Sequence, residues 1–452
     1  MVIRKRQLRQ FLLIVMGFWG VLFITLRLYT GPSEFIYMRD IALATTTVTF
    51  TIPKPLKPKA PFFQKLDDGK IPYCNKSVDV YNEMILVSKG AEIETRLAVG
   101  SPGGEDPTSV LNRNERDEHY TLSPGFFRMT CNQFRVKNNW RRSVLPIKRR
   151  TADETNYVNY VAGATVIVER NEYANVYWTL IDIYNVFIVL KFLEFDPGNA
   201  VILLLDGHPS GPLDPLWTTI FRSVLRVKDL KPIAKFETLI WMFDRSKSPL
   251  LKQSQQHIPL IDRFREFVLS KFGAKHAALA DKCRANRTLQ MTFVWRRDYL
   301  NHPRNPEKII GRKISNEEEL ISTARRLHPN FVVNGVQLDA LPIHEQISVI
   351  ATTDILIGMH GAALAFSMFQ PWGGGLIELY PMSYGSFRNW HMEYIAKWSG
   401  VLYESWQSKV MSDENIMTKS SYIPPYTVMR FVKNMTDRIC SNQILRISTY
   451  SG

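Results

Sequence analysis

A chain of 452 residues that is 45% hydrophobic and 22% charged has the composition of a globular protein, and it is long enough for two packed domains. This composition argues against a largely disordered chain. The formal net charge of +15 favours anionic ligands. The lysines and arginines are scattered, and no basic helix or aromatic RNA-binding motif accompanies them, so we expect no nucleic-acid partner.

The first thirty residues predict a membrane anchor. An apolar run from Phe11 to Leu26 follows a basic flank, and it reaches the length of a spanning helix if the Arg27 side chain extends to the interface. The basic flank should stay in the cytosol, which places the rest of the chain in the lumen. The alternative is a cleaved signal peptide, although no small-x-small cleavage site follows the run. We therefore predict a cytosolic tail over residues 1–10, a transmembrane signal anchor over residues 11–29 and a stem over residues 30–70.

The cysteines and glycosylation sequons fit a luminal chain. No C-x-x-C spacing suggests zinc, so we expect disulfides. Four cysteines allow three pairings, and we favour Cys74 with Cys131 and Cys283 with Cys440, because each bond would then lie within one domain. Three Asn-x-Ser/Thr sequons follow the anchor, at Asn75, Asn286 and Asn434.

Strand-like and helix-like segments alternate from about residue 163 almost to the end of the chain. This alternation indicates an α/β architecture. A polar stretch near residues 270–285 separates two such series. We therefore predict two Rossmann-like domains that face a cleft, an N-terminal one over residues 71–275 and a C-terminal one over residues 276–452.

The segment "TTDILIGMHGAALAFSMFQPWGGGLIELYP" predicts a buried strand, a glycine-flanked turn, a helix and a second strand. Ligands of such sheets bind at the carboxyl ends of strands, where a helix N-terminus offers free N–H groups. Gly358 and Gly361 flank this turn, and His360 could donate a hydrogen bond to a phosphate or to a leaving-group oxygen. The alternative is a glycine-rich turn with a locally satisfied histidine. Glu378 could hold a ribose hydroxyl or pair with a surface base.

Arginines follow the first strand of the same series. Arg296 and Arg297 end that strand, and Arg304, Arg312 and Lys313 come soon after. Since strand ends of one sheet converge, these cations could meet the His360 turn and clamp a diphosphate. The alternative is a solvated charged loop.

The helix that begins near residue 174 is apolar almost all round, which indicates burial. Asn175, Thr179 and Asp182 share one face of it. A buried carboxylate is costly unless it is bonded or faces a wet cleft, so Asp182 is a candidate general base. The alternative is an aspartate that caps a neighbouring loop. Asp206 and His208 follow a strand at its carboxyl end, a weaker signal because Asp-Gly is a common turn dipeptide.

These segments resemble the family 61 glycosyltransferases. The Thr352–Pro381 segment is similar to the C-terminal signature of that family, and "ERNEYANVYWTLIDIYNVFIV" with "VILLLDGHPSGPLDPLWTTIF" most resembles its core N-glycan β-1,2-xylosyltransferases. The resemblance runs from about Glu169 to about Trp406. Trp178 departs from the pattern, because the family carries histidine at that position, and this departure leaves the acceptor open.

The resemblance implies a GT-B fold, a UDP-xylose or UDP-N-acetylglucosamine donor, a glycan or glycoprotein acceptor, and a single-pass type II anchor in the Golgi or endoplasmic reticulum. The resemblance also implies that residues 71–275 form the acceptor-side domain and that residues 276–452 form the nucleotide-sugar-binding domain. The donor side would comprise Arg296, Arg297, Arg312, Gly358, His360, Gly361, Ala362, Ala363 and Glu378. The acceptor side would comprise Asn175, Trp178, Asp182 and Asp206.

The predicted mechanism is a direct displacement with inversion at the anomeric carbon. Asp182, or His208 as the second choice, would take a proton from the acceptor hydroxyl, and cationic groups would stabilise the departing diphosphate. We expect no divalent metal and no other cofactor, because the clamp is rich in arginine and neither unit contains Asp-x-Asp. Two alternatives stay open: an O-linked N-acetylglucosaminyltransferase of the same family, and a non-catalytic, membrane-anchored glycan-binding protein.

Overall fold

The computed structural model describes residues 60–147, 158–252, 258–276, 279–284, 288–300, 302–385 and 389–450. All of them belong to one compact unit, Lys59–Gly452. The predicted tail, the predicted anchor and most of the predicted stem lie outside the described residues. Across the part of the chain that is described, none of the helices combines the length and the apolar character needed to cross a bilayer.

The helices are α1 (Pro61–Asp68), α2 (Val176–Phe192), α3 (Asp214–Ile220), α4 (Ile261–Lys271), α5 (Leu279–Arg284), α6 (Glu317–Leu327), α7 (Ile343–Thr352), α8 (His391–Trp398) and α9 (Pro425–Tyr450). The strands are β1 (Lys70–Tyr73), β2 (Val78–Tyr81), β3 (Ile85–Lys89), β4 (Glu92–Glu94), β5 (Ala98–Val99), β6 (Thr121–Leu122), β7 (Phe127–Met129), β8 (Val144–Pro146), β9 (Val158–Val168), β10 (Val201–Leu204), β11 (Ser223–Arg226), β12 (Ile233–Trp241), β13 (Gln290–Val294), β14 (Lys313–Ile314), β15 (Val332–Val336), β16 (Ile355–Met359), β17 (Gly375–Tyr380), β18 (Leu402–Gln407), β19 (Glu414–Asn415) and β20 (Ser420–Ser421).

The first large sheet is mixed. Its parallel part has the order β12-β9-β10-β11, and β3 and β4 pair antiparallel with β12. All four residues of β10 are buried, as expected of a parallel strand covered on both faces. The antiparallel strands come from the first part of the chain, where the sequence carries only turn signals and predicts no strands.

Helix α2 covers the parallel part of this sheet. Its residues are hydrophobic on every side, so almost the whole helix is buried. Asn175 caps the helix, with its side-chain oxygen accepting a hydrogen bond of 3.0 Å from the backbone N–H of Tyr177. The predicted buried helix is confirmed.

The second large sheet is parallel throughout and has the order β15-β13-β16-β17-β18. Numbered along the chain, this is the order 2-1-3-4-5 of a doubly wound sheet, in which the connection direction reverses between β13 and β16. A ligand crevice is expected at that point, outside the carboxyl ends of the two strands. The strand ends there lead directly into Arg296 and into His360 and Gly361.

One hydrophobic core joins the two sheets. Val166 and Ile202 of the first sheet belong to the same buried cluster as Leu356 and Leu376 of the second. Helices α2, α4, α7 and α8 and the 3₁₀ helix Ala362–Phe369 also contribute buried side chains to this cluster. The α/β class is confirmed. The proposed domain limits at residues 275 and 276 stay a prediction.

Both predicted disulfides are present, Cys74–Cys131 and Cys283–Cys440. The first lies beside the antiparallel strands of the first sheet, and the second joins α5 to α9. The last residues of the predicted stem form helix α1, which buries Phe63 and Leu66 against the core. This segment is therefore part of the compact unit, because its apolar side chains find a partner surface that a stem would not supply.

Candidate functional site

A cavity of about 380 Å³ opens between the carboxyl ends of the two sheets, and we call it the cleft pocket. Residues from both halves of the chain form its walls. The residues that line it are Glu172, Ala174, Asn175, Val176, Pro212, Leu213, Trp295, Arg296, Tyr299, His302, Arg304, Ile310, Arg312, Leu338, Asp339, Gln346, Ala362, Ala363 and Phe366.

Two guanidinium groups in the cleft pocket, those of Arg296 and Arg312, form no ion pair with the residues that the structure describes. Two carboxylates act on them only from a distance, Asp339 on Arg296 and Glu378 on Arg312, and each raises the pKa of its arginine slightly. Nε of Arg296 donates to the backbone oxygen of Gly311 at 2.9 Å. Burial lowers the pKa of Arg296 to about 10, with a further contribution from neighbouring Arg312, and burial also lowers the pKa of Arg312. An anion placed between these two cations would supply the missing negative charge.

Gly361 makes room for one of these cations. A Cβ atom at Gly361 would collide with Nη1 of Arg296, so only glycine allows the guanidinium to lie against the turn. Ala362 and Ala363 line the cleft pocket at the start of the 3₁₀ helix. The structure thus brings together Arg296, Arg312 and the turn, as the sequence predicted. Gly358 lies inside β16 instead, where a Cβ would be 3.0 Å from Leu364, so the absence of a side chain allows this close packing.

The structure places Glu378 neither on the wall of the cleft pocket nor beside a surface base. Its carboxylate is fully buried. Oε1 contacts Nδ1 of His360 at 2.5 Å, and Oε2 accepts a hydrogen bond from the Tyr403 hydroxyl at 2.7 Å. The His360 ring stacks on Tyr380 with ring centroids 5.0 Å apart. Neither Glu378 nor His360 is among the residues that line the cleft pocket. Glu378 therefore fixes the orientation of His360 behind the turn.

Arg297 does not join the cationic cluster. Its side chain is 55% exposed and pairs with Glu317, which raises its pKa. The strand end turns successive side chains in opposite directions, so Arg296 enters the cleft and Arg297 faces solvent. Arg304 does line the cleft pocket, and its Nη1 donates to Glu118 at 3.1 Å across the two halves of the chain.

Asp182 and Asn175 lie in different cavities. Asn175 lines the cleft pocket, whereas Asp182 lines a second cavity of about 350 Å³. Both oxygens of Asp182 accept hydrogen bonds from Arg245, whose guanidinium lies 5.3 Å from the ring centroid of Trp178. Burial raises the pKa of Asp182 to about 6 against the opposing effect of Arg245. The shared helix face predicted from spacing therefore spans two separate cavities.

Asp206 and His208 belong to a buried polar network. Asp206 pairs with Arg170 at 2.8 Å, and although burial alone would raise its pKa, Arg170 lowers it to about 2. Nδ1 of His208 contacts Glu118 at 2.7 Å, and Nε2 lies 2.7 Å from the backbone oxygen of Arg170. A carbonyl oxygen only accepts, so Nε2 donates to it, and both ring nitrogens are occupied by internal partners. This geometry argues against the predicted role of His208 as a base and gives Asp206 a structural role.

Several residues of the cleft pocket were not predicted from the sequence. Glu172 is the most important, because its carboxylate lies in the same cavity as the two unpaired arginines. Its Oε1 accepts from the backbone N–H of Ala174 at 3.1 Å, which holds the side chain near the loop. The available signal was an acidic residue just after the carboxyl end of a parallel strand. Tyr299, Asp339 and Gln346 also line the pocket.

The sequons remain predictions. Asn75 is exposed and so is Asn434, although Nδ2 of Asn434 donates to Glu404 at 2.7 Å. Asn286 lies outside the described residues.

Comparison with known proteins identifies similar sequences among glycosyltransferases. Residues 222–377 match the family Glycosyltransferase 61. The chain is 25% identical over 344 residues to a β-1,2-xylosyltransferase of Arabidopsis thaliana, covering 67% of this chain and 61% of that protein. It is 25% identical over 360 residues to a β-1,2-xylosyltransferase of Oryza sativa subsp. japonica, covering 69% of this chain and 66% of that protein. The chain thus spans less than two thirds of the length of these two relatives.

A third relative is an EGF domain-specific O-linked N-acetylglucosamine transferase of Drosophila melanogaster, 32% identical over 102 residues, which are 22% of this chain and 18% of that protein. A solved glycosyl transferase family 9 structure from Veillonella parvula aligns with a TM-score of 0.29 and 8% identity, over 60% of this chain and 96% of that one. The family match and the two xylosyltransferases confirm the resemblance that the sequence motifs predicted.

Proposed function

We propose, on the premise that the chain is a glycosyltransferase of family 61, that it transfers a sugar from a UDP-sugar to a hydroxyl of a glycan or glycoprotein. The proposed donor is UDP-xylose and the proposed product is a β-1,2 linkage to the core mannose of an N-glycan. The similarity to two xylosyltransferases supports this donor. The observation that carries the proposal is the pair of guanidinium groups in the cleft pocket that form no ion pair among the described residues.

The cleft pocket suits a nucleoside diphosphate. It lies at the strand-order reversal of a doubly wound sheet, where such ligands are expected. Arg296 and Arg312 offer several N–H donors to phosphate oxygens, and each hydrogen bond to a charged group contributes about 1.5–3 kcal/mol. The Gly361 turn allows the backbone to approach the same point. A diphosphate would therefore be held on its anionic side, with the sugar directed toward the loop that carries Glu172.

We propose a GT-B arrangement for the fold. Parallel strands of both large sheets direct their carboxyl ends to the cleft pocket, β9 through Glu172 and Asn175, and β13 through Arg296. A donor held by the second sheet would then meet an acceptor held by the first. This is the geometry that two facing Rossmann-like halves require.

The proposed reaction is a single displacement. A carboxylate takes the proton of the acceptor hydroxyl, the oxygen attacks the anomeric carbon, and the carbon–oxygen bond to the diphosphate breaks with its electron pair leaving on UDP. Attack from the side opposite UDP inverts the configuration. Arg296 and Arg312 stabilise the negative charge that develops on the leaving group.

We propose Glu172 as the base, and the earlier prediction of Asp182 becomes the alternative. Glu172 shares the cleft pocket with the two arginines, whereas Asp182 lines the second cavity and has both oxygens bonded to Arg245. A base needs a free lone pair within reach of the hydroxyl, which Glu172 offers through its second oxygen. We also propose that no divalent metal takes part, since the two guanidinium groups supply positive charge where a metal would otherwise stand.

The two disulfides support a site in the secretory pathway, since such bonds persist in oxidising compartments. We propose a Golgi or endoplasmic reticulum membrane with the described part of the chain in the lumen. The anchor on which this rests lies outside the described residues.

A second candidate donor is UDP-N-acetylglucosamine, which the 32% identity to the EGF domain-specific transferase supports over 102 residues. The non-catalytic alternative gains no support from the cleft pocket, because a glycan-binding protein has no need for two desolvated cations at a strand-order reversal.

The test is UDP release and product formation by the purified full chain, with UDP-xylose or UDP-N-acetylglucosamine, with and without an N-glycan acceptor, in the presence of a chelator. We expect acceptor-dependent turnover of UDP-xylose that survives the chelator, is abolished in Glu172→Gln and persists in Arg297→Ala. Turnover of UDP-N-acetylglucosamine alone would overturn the donor assignment. Absence of UDP binding would overturn the transferase proposal, and loss of activity in Asp182→Asn but not in Glu172→Gln would return the base to Asp182.

A further inference from the structure

The second cavity, of about 350 Å³, lies at the carboxyl edge of the first sheet. It opens between the ends of β9 and β12, beside α2, and its size falls at the lower end of the roughly 300–1,000 Å³ typical of small-molecule sites. It shares no lining residue with the cleft pocket. The loop between β9 and α2 forms a wall of both, since Glu169 and Asn171 face the second cavity and Glu172 and Asn175 face the cleft pocket.

An amide on the wall of this cavity has a free end. Asn185 is only 2% exposed, and the Ser248 hydroxyl donates to its Oδ1 at 2.7 Å. Nδ2 has no partner among the described residues. If the amide is turned by 180°, the oxygen becomes the free end instead, so one polar atom faces the cavity in either orientation. Because this atom borders the cavity, it can bond water there and exchange that water for a ligand hydroxyl.

The charges around the second cavity nearly cancel. Three carboxylates line it, those of Glu169, Asp182 and Asp244, against two cations, those of Lys137 and Arg245. Both cations are already paired, Arg245 with Asp182 and Lys137 with Glu83, each at 2.8 Å. The chemistry of the cavity therefore favours an uncharged ligand with many hydroxyl groups over a phosphate.

An aromatic wall completes the cavity. Trp140 is partly exposed and lines it, and its ring is fixed edge-on against Trp241 with ring centroids 5.7 Å apart. Aromatic faces bind apolar surfaces while neighbouring polar groups make hydrogen bonds. A pyranose ring presents this combination, with a face of C–H groups and a rim of hydroxyls.

We propose that the second cavity binds a pyranose unit of the acceptor glycan, one that is not the reacting sugar. The carboxylates and amides would bond its hydroxyls, and Trp140 would contact its C–H face. The glycan would then extend over the shared β9–α2 loop, so that its reacting hydroxyl lies near Glu172 in the cleft pocket. This inference rests on the proposed function for the identity of the ligand, and binding to the cavity is measurable without any donor.

The experiment measures binding of a free N-glycan core oligosaccharide to the full chain by titration calorimetry, in the absence of UDP. Asn139 lies exposed on the rim of the cavity, so Asn139→Trp fills the mouth without touching the core. Arg142 is exposed on the same short 3₁₀ helix and does not line the cavity, which makes Arg142→Trp the matched control. Asn185→Ala removes the free amide, and UDP binding is measured separately for every variant.

We expect Asn139→Trp and Asn185→Ala to weaken oligosaccharide binding by at least about tenfold, while Arg142→Trp and the UDP affinity of all variants stay at the wild-type level. Equal binding to wild type and Asn139→Trp would overturn the proposal, as would a wild-type chain that does not bind the oligosaccharide. A third outcome separates the two proposals. If the wild type binds the oligosaccharide, Asn139→Trp does not, and the wild type fails to bind UDP, the glycan site in the second cavity is supported and the transferase proposal is overturned.

Discussion

The contact between Gly361 and Arg296 allows one prediction to be worked through from the structure. Replacing Gly361 by alanine places a Cβ atom where Nη1 of Arg296 now lies. The backbone at Gly361 is extended, with φ of 175°, so alanine adopts it without strain. The substitution therefore acts on the guanidinium and leaves the turn itself unchanged.

The expected effects on stability and on ligand affinity differ. Nη1 is the end of a flexible side chain that can move away, so we expect the free energy of unfolding to change by less than about 1 kcal/mol. Ligand binding should suffer more, because a displaced guanidinium loses at least one hydrogen bond to a phosphate. Such a bond contributes about 1.5–3 kcal/mol, which corresponds to a roughly 10- to 150-fold loss of UDP affinity.

The assay is titration calorimetry with UDP, accompanied by urea denaturation of each variant. Gly311 supplies the matched control, because it lies near the same arginine and a Cβ there would meet nothing within 4 Å. We expect Gly311→Ala to bind UDP like the wild type. A double-mutant cycle with Arg296→Ala isolates the contact, and in that background Gly361→Ala should have almost no effect.

Two results would refute this reasoning. One is an unchanged UDP affinity in Gly361→Ala. The other is an equal loss of affinity in the presence and absence of the Arg296 side chain, which would show that the methyl group acts on the turn or on the ligand directly.

Three further predictions concern charge, pH and the disulfides. Arg312→Ala should lower UDP affinity at least about tenfold by calorimetry, whereas the affinity of Arg297→Ala should stay within about twofold of the wild type. The reason is that Arg312 lines the cleft pocket and Arg297 does not. Equal losses in the two variants would contradict the placement of the diphosphate beside Arg312. Burial raises the pKa of Asp182 from 3.8 to about 6, so its protonated form stabilises the fold fully only below the unfolded value of 3.8, and this contribution is lost as the pH rises through about 6. The stability of wild type relative to Asp182→Asn should therefore fall by about 2 kcal/mol between about pH 4 and pH 7 in urea titrations, and a flat difference would contradict the assigned pKa. Replacing Cys283 and Cys440 together by serine removes a link between positions 157 residues apart. The free energy of unfolding should fall by about 2–5 kcal/mol in the same titration. A decrease below about 1 kcal/mol would show that the bond contributes little to stability.

Local patterns predicted much of the second sheet and its cationic corner. The apolar run of β16 requires burial on both faces, and the residues after a buried parallel strand must lie at the carboxyl edge of the sheet. Arg296 and Gly361 could therefore be placed together from the sequence. The disulfide pairing was also predicted, because each bond was expected to link segments of the same half of the chain.

Other positions could not be assigned from local pattern. Spacing on α2 put Asn175 and Asp182 on one face, but it does not show that two cavities adjoin that face. His208 and Glu378 have the residue types of catalytic groups, but internal hydrogen bonds hold both side chains. His208 contacts Glu118 and the backbone oxygen of Arg170, and Glu378 contacts His360 and Tyr403. Only the structure shows these partners.

The sequence by itself determined the α/β class, the buried helix and the meeting of Arg296 with the Gly361 turn, because each follows from the pattern of burial or from a position at the end of a parallel strand. It favoured the two disulfides among three possible pairings without deciding between them. The tertiary structure alone decided which cations of the described residues form no ion pair, that Glu172 lines the same cavity as they do, and that Asp182 belongs to a separate cavity. These properties depend on distances between segments far apart in the chain, and a side chain's charge acquires its meaning only from the groups that surround it in space.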